Sequence, residues 1–156
     1  MNDLSPNTTS ALFFSVDGQQ YALDIDSVRA VVPVLEIRVL PGAPDFVPGV
    51  ISYRGRIVPV IDISKMLSGK PASLFYSTRI AIVDYQAATG RRLLGLLIEQ
   101  ATKSIQEVAG GWEPTGVATT AAPCLAGIAE KDGNTVQLVT LNELLPESVR
   151  QILFPT

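Results

Sequence analysis

Short apolar runs alternate with turn residues along the whole chain. The turns carry Asp-Gly, Arg-Gly and proline-rich sequences, and the runs between them are rich in valine, isoleucine and leucine. Short runs of this composition, bounded by glycine and proline, are typical of β-strands joined by tight hairpins. The predicted strands lie at residues 11–16, 21–23, 28–34, 37–40, 49–53, 56–61, 79–85, 92–98, 104–108, 127–131 and 135–141.

Helical patterns in the sequence are short. Residues 64–67 and 99–102 each predict one helical turn. Residues 146–154 predict a short C-terminal helix, because apolar side chains recur on one face after an early glutamate. Residues 109–123 show little periodicity and predict a long loop.

The hydrophobic pattern repeats within the chain. Residues 49–67 align with residues 127–145 without a gap, and Gly49 then matches Gly127. A weaker match aligns residues 23–32 with residues 96–105. Two generic hairpins can match by coincidence, but an ungapped match over so many positions favours duplication.

The repeat predicts two similar units of about five short strands, at residues 10–70 and 75–146, within one domain. Residues 147–156 then form a short C-terminal helix or tail. A sheet of this size hides its edges by closing into a small barrel. The groove between two such barrels is the expected binding site.

Composition narrows the class of protein. The chain has 156 residues, a net charge of −3 and a pI of about 4.9. An acidic chain is a poor candidate for nonspecific nucleic-acid binding, which requires clustered basic residues. Because the N-terminus is polar, we expect no secretory signal, and the aliphatic run at residues 93–98 is too short to span a bilayer. The sequence therefore predicts a soluble cytoplasmic protein.

The chain contains no histidine and one cysteine. The commonest general base is therefore missing, and one thiol cannot build a zinc site of histidine and cysteine ligands. No glycine-rich phosphate-binding loop occurs, and the carboxylates are dispersed. We therefore expect a binding protein without a metal or cofactor, and rank an enzyme below it.

Arg54 is the most distinctive polar residue. It lies beside Gly55 between two apolar runs, which predicts a tight hairpin with a fixed cation at its tip. The repeat places Asp132 at the equivalent position. The two units therefore share a frame but differ in charge at this tip.

Residues 40–50, LPGAPDFVPGV, and residues 54–62, RGRIVPVID, resemble the signature of CheW-like chemotaxis coupling proteins. The resemblance covers roughly residues 10–146. It implies two pseudo-symmetric, five-stranded, SH3-like β-barrels around a shared core. It also implies a noncatalytic adaptor that couples the cytoplasmic tip of a methyl-accepting chemoreceptor to a CheA-like histidine kinase. Such an adaptor is cytoplasmic and is recruited to membrane receptor arrays without inserting into the membrane.

The resemblance further implies two binding surfaces. A receptor's helical hairpin docks in the groove between the barrels, and the kinase's regulatory domain pairs with the adaptor barrel to barrel. The matching receptor-groove positions are Ile25, Val28, Ala30, Arg54, Leu97 and Ala101, and the candidate kinase-binding positions are Gly42, Pro44, Gly49 and Trp112.

Each of these assignments has a structural alternative. Arg54 either contacts a partner or braces its hairpin by bonding nearby carbonyls. The glycine and proline positions either shape a kinase-binding edge or only set turn geometry. Trp112 is either an exposed anchor or a lid on its barrel.

The chain departs from the family pattern at several positions. Ala30 replaces an acidic residue, Ser52 an asparagine, Ala101 a valine and Thr140 an aspartate. These departures favour a specialised branch that serves a non-flagellar pathway, such as surface sensing, pili or cyclic-dinucleotide output. The alternative function is a small β-barrel module for nucleic acid or oligosaccharide, which requires a basic or aromatic face.

Overall fold

The computed structural model describes residues 9–34, 36–74, 77–100, 105–108, 112–114 and 125–155. Strands dominate these residues, as the hydrophobic pattern predicts. The strands are β1 (Thr9–Val16), β2 (Gln19–Asp24), β3 (Val28–Pro33), β4 (Gly49–Tyr53), β5 (Arg56–Asp62), β6 (Arg79–Ala87), β7 (Gly90–Ile98), β8 (Ile105–Val108), β9 (Glu113–Pro114), β10 (Leu125–Lys131) and β11 (Asn134–Val139). The helices are α1 (Ile63–Ser68) and α2 (Glu147–Leu153), and two 3-10 turns span Ile25–Ser27 and Leu141–Glu143.

The strands form two curled sheets. One has the order β8-β1-β2-β11-β10-β9, and the other has the order β3-β6-β7-β5-β4. Neighbouring strands are antiparallel except for β2 with β11 and β5 with β7, which are parallel. The sheets meet at a backbone bridge between Ser15 and Glu99. The structure confirms the all-β class with short helices, and the first sheet carries one short strand, β9, beyond the five expected.

The two sheets follow the same plan. In hairpin β4–β5 Gly49 pairs with Val60, and in hairpin β10–β11 the aligned Gly127 pairs with Leu138. β5 then pairs in parallel with β7, just as β11 pairs in parallel with β2. The repeat in the sequence therefore corresponds to two hairpins with the same pairing register.

The strands of each sheet are not contiguous in sequence, which differs from the predicted division between residues 70 and 75. Hairpin β1–β2 lies in the sheet with β8–β11, and hairpin β6–β7 lies in the sheet with β3–β5. Each predicted unit thus contributes its first hairpin to the other sheet. The hydrophobic pattern of a strand specifies which faces are buried, but long-range packing selects its pairing partner.

The apolar side chains form a core shared by both sheets and a smaller cluster inside each. On β6, Ile80 and Ile82 face the interior of their own sheet, whereas Ala81, Val83 and Tyr85 join the shared core. Successive side chains of a strand point to opposite faces, so a strand buried on both faces is apolar at nearly every position. This explains the near-continuous apolar runs of β6 and β7.

Two segments differ from their predicted structure. Residues 37–40 form only a bridge, in which the backbone of Arg38 bonds Val50 at 2.8 and 2.9 Å before the chain turns away at Pro41. Glu99 bridges to Ser15 instead of starting a helical turn. None of the helices in the described part of the chain has the length and hydrophobicity needed to cross a bilayer.

Candidate functional site

Arg54 and Gly55 form the two-residue turn between β4 and β5. Their φ angles are 50° and 78°, and positive φ at both positions is the type I′ geometry of tight hairpins. The guanidinium carbon of Arg54 lies 5.5 Å from the centroid of the Tyr53 ring, which is a cation–π contact. The hairpin tip therefore presents a cation that rests on the neighbouring aromatic ring.

Arginine is an unusual residue in this turn conformation. Asn, Asp and Gly adopt positive φ readily, whereas other side chains do so at a cost of about 1 kcal/mol. Among the described residues, Asp17 and Asp132 occupy the same position in two further turns of this geometry, with φ of 50° and 53°. Arg54 is thus locally unfavourable, a feature that points to function when a better turn residue is available.

The Arg54 guanidinium remains open to a partner. The described residues provide it with no hydrogen bond and no ion pair, so its contact with Tyr53 is the bracing that the structure shows. The residue is exposed. All five guanidinium donors are therefore free to bind carbonyl or carboxylate oxygens.

The structure brings Ala30 and Arg54 together. They lie on β3 and at the end of β4, at opposite edges of the five-stranded sheet, yet line one cavity of about 190 Å³. The curling of the sheet brings these edges close together. Leu97, on the inner strand β7, is buried at 4% exposure in the same interior cluster as Ala30.

The remaining predicted groove positions lie near the start of β3 or cannot be placed. Ile25 belongs to the 3-10 turn before β3 and is half-buried. Val28 begins β3 and packs against the shared core. Ala101 lies outside the described residues. The structure therefore brings together only part of the predicted receptor groove, namely Ala30, Arg54 and Leu97 on the five-stranded sheet.

Two arginines that the sequence pattern did not select line the same cavity. Arg29 on β3 and Arg56 on β5 flank Ala30 and Arg54. Arg29 also forms an ion pair with Asp84, with Nη1 3.2 Å from Oδ2. These cations come from strands far apart in sequence, so their convergence is visible only in the fold. The sequence shows only that Arg29 and Arg56 each lie within two residues of a predicted groove position.

The candidate kinase-binding residues Gly42, Pro44 and Gly49 lie on or just beyond the segment that leads to β4. Gly42 is exposed in a turn with φ of 81°, and the Pro44 carbonyl accepts a hydrogen bond from the Val47 amide at 2.9 Å. Gly49 is buried with φ of 150°, and a Cβ there would overlap the carbonyl oxygen of Arg38. Gly49 is therefore required by close backbone packing.

Trp112 is half-buried and packs against the interior apolar cluster of the six-stranded sheet. A Cβ built on Gly127 would lie 3.3 Å from the Trp112 Cβ. This packing matches the lid interpretation. The half-exposed part of the residue is still available for contact.

Tyr85 carries a titratable group inside the core. Burial raises the pKa of Tyr85 above its ordinary value of 10.0, and its ring stacks on Phe154 with centroids 5.5 Å apart inside the core. Within the described ranges, no group of three or more His, Cys, Asp or Glu side chains is placed to hold a metal ion. The prominent chemistry of the surface is its set of converging arginines.

Comparison with known proteins points to one family. The family model of the CheW-like domain matches residues 10–149. The chemotaxis protein CheW of Bacillus subtilis is 24% identical over 146 residues, which cover 92% of this chain and 91% of that protein. The chemotaxis protein CheW of Thermotoga maritima is 26% identical over 136 residues, with 87% of each chain covered.

A solved structure has the same fold. The crystal structure of the scaffolding protein TtCheW from Thermoanaerobacter tengcongensis superposes with a TM-score of 0.70 at 29% sequence identity. The match covers 85% of this chain and 89% of that one. The two curled sheets are accordingly SH3-like β-barrels, as the resemblance implied.

Proposed function

The chain belongs to the CheW-like domain family, and on that premise we propose that it is a noncatalytic adaptor. It couples methyl-accepting chemoreceptors to a CheA-like histidine kinase in a bacterial chemosensory array. The observation that carries the proposal is the family match over residues 10–149 together with the exposed cation at Arg54. The names of the relatives, chemotaxis protein CheW and scaffolding protein TtCheW, support the same role.

The proposed receptor site is the surface around Ala30 and Arg54. A helical hairpin presents apolar side chains to a groove and free carbonyls or carboxylates at its tip. Ala30 is small and leaves room for a helix, with the buried Leu97 in the same cluster behind it. Ile25, Val28 and Ala101 extend this apolar surface, and Arg54 binds oxygens at the receptor tip.

The proposed kinase site is the turn segment at residues 41–49 and the half-exposed face of Trp112. Gly42 and Pro44 set the outline of this edge. Gly49 acts through shape, because its backbone packs on Arg38 and cannot present a side chain. The kinase's regulatory domain then pairs barrel to barrel with the adaptor.

The phosphoryl chemistry belongs to the kinase in this proposal. The chain has no histidine, so it cannot carry the phosphohistidine of a kinase itself. The adaptor works in the cytoplasm and reaches the membrane through the receptor. Ala30, Ser52 and Thr140, which depart from the family pattern, favour a specialised receptor of a non-flagellar pathway.

The experiment that tests the proposal is recruitment of the kinase to the receptor. The cytoplasmic fragment of the receptor encoded beside this chain is assembled on vesicles, and the kinase is added with and without the full-length protein. We expect the kinase to co-sediment only when the adaptor is present. If the adaptor binds neither the receptor nor the kinase from its own gene neighbourhood, the proposal is wrong.

A further inference from the structure

Four arginines surround an opening at one end of the five-stranded barrel. Arg29 on β3, Arg56 on β5 and Arg91 and Arg92 on β7 line a cavity of about 340 Å³, together with Asp84. We define these five residues as the arginine groove. All four arginines are exposed, although the chain as a whole has a net charge of −3.

The groove exists because strands β5 and β7 diverge. They pair in parallel only from Val60 and Gly95 onward. Pro59 precedes this point, and its missing N–H cannot extend the ladder. The first half of β5 therefore separates from β7, and Arg56, Arg91 and Arg92 stand along the two strands that border the gap.

The positive charge of the groove is only partly compensated. Arg29 pairs with Asp84, and Arg92 donates from Nε and Nη2 to the Thr89 hydroxyl at 3.3 and 3.2 Å. The described residues offer Arg56 and Arg91 no hydrogen bond and no ion pair. Four guanidinium groups and one carboxylate leave an excess of three positive charges, which repel one another until an anion binds.

The surroundings favour a protein carboxylate over a phosphate. Phosphate sites usually use a helix N-terminus or a glycine-rich loop, whereas here Leu153 and Phe154, at the C-terminal end of α2, face the cavity. Ile57, another lining residue, is 70% exposed. An exposed apolar side chain beside arginines is typical of a protein interface, and a protein segment can cover Ile57 as well as pair with the guanidinium groups, which a phosphate cannot do.

We propose that the arginine groove binds an acidic segment of a partner protein. Aspartate and glutamate side chains of the segment pair with Arg56, Arg91 and Arg92, and an apolar residue of the segment packs on Ile57. Arg29 and Arg56 also line the cavity at Arg54, so the cationic surface continues toward the hairpin tip. The proposal does not depend on the adaptor function, since it requires only an acidic protein segment.

The test measures binding of a fluorescein-labelled peptide of glutamates with a central leucine to the full-length protein by anisotropy. The double variant Arg91→Gln/Arg92→Gln is expected to bind about tenfold more weakly, because two charge-assisted contacts are lost. The control Arg38→Gln/Lys70→Gln removes the same charge elsewhere and is expected to bind within about twofold of the unchanged protein. Equal weakening by both double variants would mean nonspecific attraction and would overturn the proposal.

Two further arms identify the ligand class. Ile57→Ser is expected to weaken the binding of the peptide and to leave the binding of inorganic triphosphate unchanged, because only the peptide carries an apolar residue. Triphosphate or a single-stranded oligonucleotide that binds more tightly than the peptide, and that loses affinity in Arg91→Gln/Arg92→Gln, overturns the assignment to a protein segment. Circular dichroism verifies that each variant folds. If Arg91→Gln/Arg92→Gln does not fold, Arg56→Gln is used in its place.

Discussion

Arg54 and Asp132 occupy the same position in two hairpin turns of nearly equal geometry. Their φ angles are 50° and 53°, and the glycines that follow have φ of 78° and 81°. The hairpins also share their pairing register. The two barrels therefore differ at this tip in charge and not in backbone. Aspartate is the better residue for this turn, and we propose that the β4–β5 hairpin keeps Arg54 because it binds a partner.

Gly49→Ala is expected to destabilise the protein by about 3 kcal/mol or more, because the new Cβ overlaps the Arg38 carbonyl at a positive φ. Gly42→Ala is the control, since its Cβ meets open space and only the conformational cost of about 1 kcal/mol remains. Urea unfolding, monitored through the fluorescence of the single tryptophan Trp112, measures the free energy of unfolding of both variants. Equal losses for the two variants would contradict the packing role of Gly49.

Asp62→Ala is expected to cost about 2–3 kcal/mol of unfolding free energy. Asp62 is 6% exposed, and its two oxygens accept hydrogen bonds from the amides of Lys65, in the first turn of α1, and Ala72, at 3.1 and 2.9 Å. Asp45→Ala is the control, because its side chain is exposed and only approaches Lys65 at 3.7 Å. A loss at Asp62 no larger than at Asp45 would show that these bonds contribute little.

Cutting the chain between residues 74 and 75 is expected to leave two fragments that fold only together. The hairpins β1–β2 and β6–β7 are exchanged between the sheets, so each fragment alone lacks two central strands of a barrel. Circular dichroism of the separate and co-expressed fragments checks this. Cooperative unfolding of either isolated fragment would contradict it.

Tyr85 is expected to weaken the fold at alkaline pH. Burial raises the pKa of its phenol above 10.0, so above about pH 10 the unfolded chain releases this proton while the folded chain retains it. The free energy of unfolding then falls as pH rises above about 10. At lower pH both states keep the proton, so Tyr85 causes no such loss of stability. The free energy of unfolding of Tyr85→Phe is expected to fall less steeply in that pH range. Identical slopes for the two proteins would argue against a buried phenol.

The sequence pattern predicts the strands well because each run is apolar on the faces that the core buries. The Arg-Gly and Asp-Gly pairs likewise predict the turns at Arg54 and Asp132, which the structure confirms as type I′. The pairing of β2 with β11 follows from contacts between distant segments, which a local pattern does not encode. The convergence of Arg29, Arg56 and Arg91 depends on the same long-range packing.

Arg54→Asn separates the role of this residue in binding from its role in the fold. Asn-Gly is the preferred pair for a type I′ turn, so the variant is expected to gain about 0.5–1 kcal/mol of stability. It removes the cation that we assign to the receptor tip. Asp132→Asn is the matched control, because it changes the equivalent turn of the other barrel.

The role of Arg54 in partner binding is tested by the Kd of the protein for the cytoplasmic fragment of the proposed receptor, determined by calorimetry. Arg54→Asn is expected to bind about tenfold more weakly although its fold is at least as stable, and Asp132→Asn is expected to bind like the unchanged protein. Equal receptor affinity of Arg54→Asn and the unchanged protein would contradict the assignment of Arg54 to partner binding.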